Sequence, residues 1–135
     1  MAITIHAYSR AKDGLKKVVS TCPNFKVNEF ACQDGSDPIF IAPELVKVLQ
    51  KIRNHFGKPV TINSGFRTAT HNKAVGGAAY SQHLYGTAAD IVVSGVAPKK
   101  VAAYVETLMP NKGGIGIYKN FTHVDVREVK SRWNG

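Results

Sequence analysis

The chain has 135 residues, of which 44% are hydrophobic and 20% charged, a length that suits one domain rather than several. Eighteen Lys and Arg against nine Asp and Glu give a formal net charge of +9, which favours polyanionic surroundings such as nucleic acid, anionic lipid or acidic cell-wall polymers without choosing among them. No apolar run is long enough for a membrane-spanning helix, and the start lacks a signal-peptide pattern. We therefore expect a soluble single domain over 1–135, with no membrane insertion and no export signal of the usual kind.

Cysteine usage is sparse. Cys22 and Cys32 are the two cysteines, and two cysteines in a chain of this length do not make a disulfide framework. Both are therefore predicted to be free thiols. The one linker-like region, 33–38, lies too near the amino end to separate two domains.

The first clear element is a helix, since the stretch before it is weakly patterned and indicates only short elements. Pro43 suits its first turn, apolar residues recur every three or four positions up to Phe56, and Gly57 ends it. A short β-prone run at 59–62 then ends in a turn. Arg67 is therefore expected at the edge of a strand.

The remaining pattern alternates helices with short strands. A short helix follows Thr68, a buried strand covers 87–93, and Pro98 opens a further helix. Two strands at 114–118 and 121–126 are close enough in sequence to form an antiparallel hairpin. The mixture predicts a small α+β domain with a central antiparallel sheet and helices packed on it.

Polar side chains stand where a core would have apolar ones. Side chains alternate along the last strand, so His123 and Asp125 share a face. Asp90 interrupts an apolar strand, where burial of a carboxylate is costly unless it is paired, hydrogen-bonded or bound to a metal. His83 precedes Asp90 closely enough for a loop to bring its imidazole beside that carboxylate.

Two imidazoles and a carboxylate are a donor set that suits zinc. Three protein ligands leave a fourth position for water, which zinc activates for attack on an amide carbonyl. The alternative is an ion pair between Asp90 and a buried arginine, with the histidines in structural roles. Spacing alone does not decide between these interpretations.

Four segments in order resemble motifs of one family: INSGFR at 62–67, SQHLYGTAAD at 81–90, GGIGIY at 113–118 and FTHVDVR at 121–127. The second resembles the S-x-H-x-x-G-x-A-x-D signature of the zinc D-alanyl-D-alanine carboxypeptidase family, and the fourth resembles the H-x-D form of its second motif. That family also contains phage peptidoglycan endopeptidases and shares its metal site with the hedgehog signalling domain. The resemblance covers about 25–133.

The resemblance implies roles for individual residues. His83, Asp90 and His123 match the three ligands of one Zn²⁺ per chain. Arg67 matches an arginine that contacts substrate, and its planar set of donors suits a peptide carboxylate or the oxyanion of a tetrahedral intermediate.

The general base is less well matched. Several branches of the family have an acid three residues before the last zinc histidine, whereas this chain has Asn120, which cannot accept a proton. This departure leaves two roles open for Asp125. It either takes a proton from the activated water as the catalytic base, or it holds His123 or Arg67 in orientation.

The resemblance predicts a zinc metallopeptidase that hydrolyses peptidoglycan stem peptides or cross-links, as a carboxypeptidase or as an endopeptidase of the endolysin type. We expect a monomer that is attracted to anionic wall polymers and is made in the cytoplasm, then released by lysis or a phage route. A zinc-stabilised binding module without hydrolysis is the alternative. A nucleic-acid binder is disfavoured because no helix shows a basic face with interleaved aromatic residues.

Overall fold

The computed structural model describes residues 3–135. In chain order the regular elements are β1 (His6–Ser9), α1 (Arg10–Asp13), β2 (Pro38–Ile41), α2 (Pro43–Phe56), β3 (Val60–Ser64), α3 (Ala69–Ala74), β4 (Ala88–Val93), α4 (Pro98–Leu108), β5 (Gly114–Ile117), β6 (Thr122–Asp125) and β7 (Ser131–Asn134). Two 3₁₀ turns, Val27–Phe30 and Gln82–Tyr85, lie between them. Within the described residues, no helix combines the length and apolar character needed to cross a bilayer.

Five strands form the central sheet in the order β3-β4-β6-β5-β7, while β1 and β2 pair separately. The pairs β3–β4, β4–β6 and β5–β6 are antiparallel. The last strand, β7, runs parallel to β5. The predicted α+β class is confirmed, with one parallel strand added to the antiparallel sheet.

The longest helix, α2, follows its sequence signals closely. Pro43 occupies its first turn, and Gly57 ends it with a φ of 63°, a left-handed conformation that glycine adopts at low cost. Its apolar stripe faces inward, and the fully buried residues on it are Leu45, Val46, Leu49 and Ile52. Helix α4 likewise begins at a proline and buries Val101, Ala102 and Val105. The two amphipathic helices therefore close the core of the domain.

The two faces of the central sheet have different chemistry. Val124 and Val126 belong to the hydrophobic core, and the Thr122 hydroxyl, on the same face, donates to the Pro98 carbonyl at the start of α4. Because strand side chains alternate, His123 and Asp125 point to the opposite face. Helices α2 and α4 thus cover one face, and the polar residues singled out in the sequence lie on the other.

Several expectations about local structure are met. The hairpin of β5 and β6 has the predicted antiparallel pairing, and Cys22 and Cys32 are buried free thiols. Two elements differ. The stretch before β4 contains the 3₁₀ turn Gln82–Tyr85, and β7 forms from a short polar segment whose pairing partner, β5, is not adjacent in sequence.

Candidate metal centre and substrate cleft

The loop that carries His83 is shaped by the residues around it. Ser81 caps the 3₁₀ turn, its side chain accepting a hydrogen bond from the His83 backbone N–H at 3.2 Å. Gly86 ends the turn with a φ of 73°, and a Cβ there would overlap the carbonyl of Phe40. The spacing of serine, histidine and glycine in this motif therefore has a structural reason: it builds a tight turn that buries the imidazole.

Strand pairing brings the other two residues to the same place. Asp90 and His123 are direct partners across β4 and β6. The Asp90 Oδ1 atom lies 2.9 Å from His123 Nδ1, and its Oδ2 atom lies 3.3 Å from His83 Nε2. One ligand atom from each residue falls within 4.8 Å of the others, and all three side chains are buried.

Each imidazole uses its second nitrogen on a protein acceptor. His83 Nδ1 lies 2.7 Å from the Gly65 carbonyl oxygen, and His123 Nε2 lies 2.7 Å from Asp125 Oδ2. With a metal bound, those nitrogens would donate to these acceptors, and His83 Nε2 and His123 Nδ1, which lie next to Asp90, would be free to act as ligands. Two oriented imidazole nitrogens and a carboxylate oxygen fit zinc, because zinc-binding histidines typically donate their other N–H to such partners.

The Asp125 carboxylate lies behind His123 and has no exposed surface. Besides His123 it accepts hydrogen bonds from Arg127 Nε at 2.8 Å and Nη2 at 2.6 Å, and from the Gly114 backbone N–H at 2.9 Å. A Cβ on Gly114 would overlap this carboxylate, so the glycine makes room for it. Burial raises the pKa of Asp125, but the bonds from His123 and Arg127 outweigh burial and hold the pKa well below its usual range.

Burial and hydrogen bonding also have opposite effects on the pKa values of Asp90 and His123. Burial raises the pKa of Asp90, yet its hydrogen bonds with His123 and His83 bring the pKa well below the ordinary carboxyl value. Burial lowers the pKa of His123, while hydrogen bonds to Asp125 and Asp90 raise it by more, so the net pKa is raised. Asp90 is therefore ionised at neutral pH and available as a ligand.

Arg67 lies at the edge of this cluster. Its Nε donates to Ser64 Oγ at 3.0 Å, its Nη1 to Asn72 Oδ1 at 3.3 Å and its Nη2 to Asp90 Oδ2 at 3.4 Å. The arginine partner that the alternative interpretation required for Asp90 is thus present beside the two histidines. Asn72 also donates to the Ala78 carbonyl at 2.8 Å, so it ties Arg67 to the loop that follows α3.

A cavity of about 460 Å³ opens over these residues, within the usual size range of ligand sites. Trp133, Tyr118 and Phe121 line it together with Arg67 and Arg127. Trp133 Nε1 donates to the Tyr118 hydroxyl at 2.9 Å. The Tyr118 and Phe121 rings stack with centroids 4.4 Å apart. An aromatic wall therefore faces the candidate metal-ligand cluster of His83, Asp90 and His123.

The structure brings His83, Asp90, His123, Arg67 and Asp125 into one cluster, although only the first four line the cavity. Asn120 is exposed in the turn between β5 and β6. Sequence reasoning missed the residues that reach the site through tertiary contacts, Asn72, Tyr118 and Trp133. The lone tryptophan in a polar terminal stretch was the one available signal for the last of these.

A family model described as Peptidase M15 matches residues 23–125, which include all five clustered side chains. The chain belongs to the peptidase M15 family. The matched range therefore contains both the motif that builds the His83 turn and the strand pair, β4 and β6, that supplies Asp90 and His123.

Two curated relatives extend this comparison. The zinc D-Ala-D-Ala carboxypeptidase of Streptomyces albus G is 54% identical over 44 residues, or 32% of this chain and 17% of that protein. The probable peptidoglycan L,D-endopeptidase MepK of Haemophilus influenzae (strain ATCC 51907 / DSM 11121 / KW20 / Rd) is 32% identical over 103 residues, or 69% of this chain and 54% of that protein. The chain therefore spans about half or less of the length of each relative.

Proposed function

We propose that this M15 family member is a zinc-dependent metallopeptidase that hydrolyses amide bonds in the peptides of peptidoglycan. The observation that carries the proposal is the convergence of His83, Asp90 and His123, each within 4.8 Å of the others through one ligand atom. The names of both relatives, a carboxypeptidase and a peptidoglycan endopeptidase, support peptidoglycan peptides as the substrate class.

His83, Asp90 and His123 would hold one Zn²⁺ ion. The chemistry that zinc supplies in such a site is Lewis acidity, which polarises an amide carbonyl and makes water nucleophilic at neutral pH. The protein's own part is to orient the two imidazole donors before the metal binds. The Gly65 carbonyl and the Asp125 carboxylate do this by holding the two rings.

The position of Arg67 at the cavity supports a substrate-contacting role. Its side chain is 16% exposed toward the cavity, and its Ser64 and Asn72 contacts limit the directions in which the guanidinium can turn. A held guanidinium can stabilise the negative charge that develops on the carbonyl oxygen during amide hydrolysis. We assign that role to Arg67.

For Asp125 we favour the orienting role over that of catalytic base. A base must reach the water whose proton it takes, whereas Asp125 is fully buried and lies outside the cavity lining. Orientation of His123 requires only the 2.7 Å hydrogen bond between the two side chains.

The second candidate function is a zinc-stabilised binding module that performs no hydrolysis. It is favoured by one specific observation: Asp90, itself in the ligand cluster, is the one carboxylate among the described residues that line the cavity. With Asn120 in place of an acid, no separate carboxylate stands ready to move a proton there.

The deciding experiment is elemental analysis of the purified chain, followed by mass spectrometry of muropeptides incubated with it. We expect about one zinc per chain, lost in His83→Ala and in His123→Ala and kept in His6→Ala, which removes an exposed histidine on β1. Hydrolysed muropeptides would support the peptidase. Intact muropeptides with a zinc-loaded chain would support the binding module, and absence of zinc at neutral pH would refute both.

A further inference from the structure

A second cavity adjoins the cavity over the metal-ligand cluster. It has a volume of about 490 Å³, and its walls include Ile5, Tyr85 and Val129. Gln82 and Arg127 line both cavities. The two cavities therefore meet at a boundary made of these two polar side chains, and together they form a cleft longer than the metal site itself.

The boundary between the cavities is held in place. Thr87 Oγ1 lies 2.8 Å from Gln82 Oε1, and Arg127 makes its two hydrogen bonds to the buried Asp125. The Arg127 side chain is 29% exposed, so part of its donor group faces the cleft. Polar side chains fixed in this way can bind the backbone of a peptide that passes from one cavity to the other.

The second cavity differs from the first in chemistry. Ile5, Tyr85 and Val129 are 40%, 44% and 76% exposed, and all three line it together with Ile3, Thr87 and Glu128. Large apolar side chains clustered at an open cavity mark a binding surface more often than a solvated one. A ligand of the second cavity should therefore present apolar groups, and it should be part of the same molecule that binds over the metal-ligand cluster.

We propose that this second cavity binds the part of the substrate peptide that continues beyond the scissile bond, with alanyl methyl groups against Ile5, Tyr85 and Val129. The inference rests on the proposed peptidase function and makes it more specific. A carboxypeptidase binds peptide mainly on the amino side of the scissile bond, whereas an endopeptidase also binds several residues on its carboxyl side, and we assign the second cavity to those residues. The enzyme therefore cleaves within a peptide rather than at its end.

The test compares two substrates of the zinc-loaded chain, N-acetyl-D-alanyl-D-alanine and a cross-linked dimer of stem peptides. We expect kcat/KM to be at least about tenfold higher for the dimer, which should be cut at an internal bond, as identified by mass spectrometry. The double variant Ile5→Ala, Val129→Ala should lower the ratio of dimer to dipeptide kcat/KM by about fivefold. Leu15→Ala, a matched loss of an exposed apolar side chain (79% exposed), should leave the ratio unchanged.

A binding measurement separates this inference from the proposed function. Trp133 is the single tryptophan of the chain and lines the metal-side cavity, so its fluorescence reports peptide binding without turnover. Absence of hydrolysis would refute the peptidase, but tighter binding of the dimer that weakens in the double variant would still support the second cavity. Equal binding of the two peptides, or release of terminal residues alone with an unchanged ratio, would overturn the inference.

Discussion

Individual residues in this site are prepared by their neighbours before any metal binds. The imidazole of His123 lies between two carboxylates, with Asp90 on its Nδ1 side and Asp125 on its Nε2 side. The buried Asp125 is in turn neutralised by Arg127. Such a chain of hydrogen bonds fixes the orientation of the ring, and that removes an ordering cost from metal binding.

Replacement of Asp125 should therefore act on the metal. Asp125→Asn keeps the shape of the side chain but loses its charge, so we expect zinc affinity to fall about 10- to 100-fold, measured by competition with a chelator. Glu106→Gln is the matched control, because Glu106 also binds an arginine, Arg132, away from the site. Unchanged affinity in Asp125→Asn would argue against the orienting role.

Asn72 is a positioning residue for Arg67. Its side-chain oxygen accepts a hydrogen bond from the guanidinium, and its side-chain NH₂ group donates to the Ala78 carbonyl. The neighbouring Gly77 leaves room for this amide, because a Cβ at that position would overlap it. Asn72→Ala should lower kcat/KM about tenfold, because a misdirected guanidinium loses transition-state contact.

Asn72→Asp separates the two functions of that side chain. It keeps an oxygen for Arg67 but removes the donor to Ala78, so it should recover part of the lost kcat/KM while zinc affinity stays constant in both variants. Equal activity of the two variants would show that Asn72 acts through the loop alone.

The sequence predicts the ligand cluster but not its surroundings. The three candidate ligands could be recognised because each is a polar residue within an apolar strand or a family motif: His83, Asp90 and His123. Asn72 and Trp133 do not stand out, since each reaches the cleft only after strands and helices have packed. Residues that act through other residues leave little pattern along the chain.

At the scale of elements, the glycines of β5 make room for the site. Gly114 and Gly116 face the same side of the sheet, where Asp125 and the Trp133 ring occupy the space their side chains would fill. Strand β5 therefore needs glycine at these positions because side chains of its neighbours β6 and β7 occupy the space. From the sequence it was expected as a strand and as one of the four segments of the family resemblance, without a reason for its glycines.

Gly116→Ala tests this relation. The added Cβ would lie 2.5 Å from the Trp133 indole, so the ring must move, and we expect about 1–3 kcal/mol of destabilisation together with a shift in tryptophan emission. Gly57→Ala is the control. Its φ of 63° and open surroundings should cost about 1 kcal/mol and leave the emission unchanged. An unshifted spectrum in Gly116→Ala would contradict the packing described.

Which elements were predictable depends on how local their causes are. Helix α2 was predicted because Pro43, its apolar stripe and Gly57 all lie within one segment. The hairpin of β5 and β6 was predicted because its strands are adjacent. Strand β7 was missed because its short polar sequence becomes a strand only by pairing with β5, and no local pattern announces such pairing.

At the scale of the whole molecule, the excess of positive charge remains after the site is accounted for. Exposed Lys47 and Lys51 lie one turn apart on α2, with Lys58 just beyond its end. That helix covers the sheet face opposite the cleft. We propose that this side meets anionic wall polymers while the cleft stays open to peptide.

Added salt should distinguish binding to wall polymers from binding of peptide in the cleft. Binding to an anionic wall polymer is expected to weaken steadily as ionic strength rises, in a sedimentation assay. Lys47→Glu with Lys51→Glu should weaken that binding further at low salt, while Leu15→Ala, which changes no charge, should not. Binding that is insensitive to salt would remove charge as its cause.

The alternation of side chains along β6 links folding to function in a direct way. His123 lines the cleft, while Val124 on the same strand and Val126 directly after it belong to the core, so β6 supplies both. A shift of one residue in its pairing would exchange them, placing valines in the cleft and charged groups in the core. If the proposed function is correct, misregistered molecules should have no activity instead of reduced activity. The specific activity of a preparation should then be proportional to its fraction of correctly paired molecules.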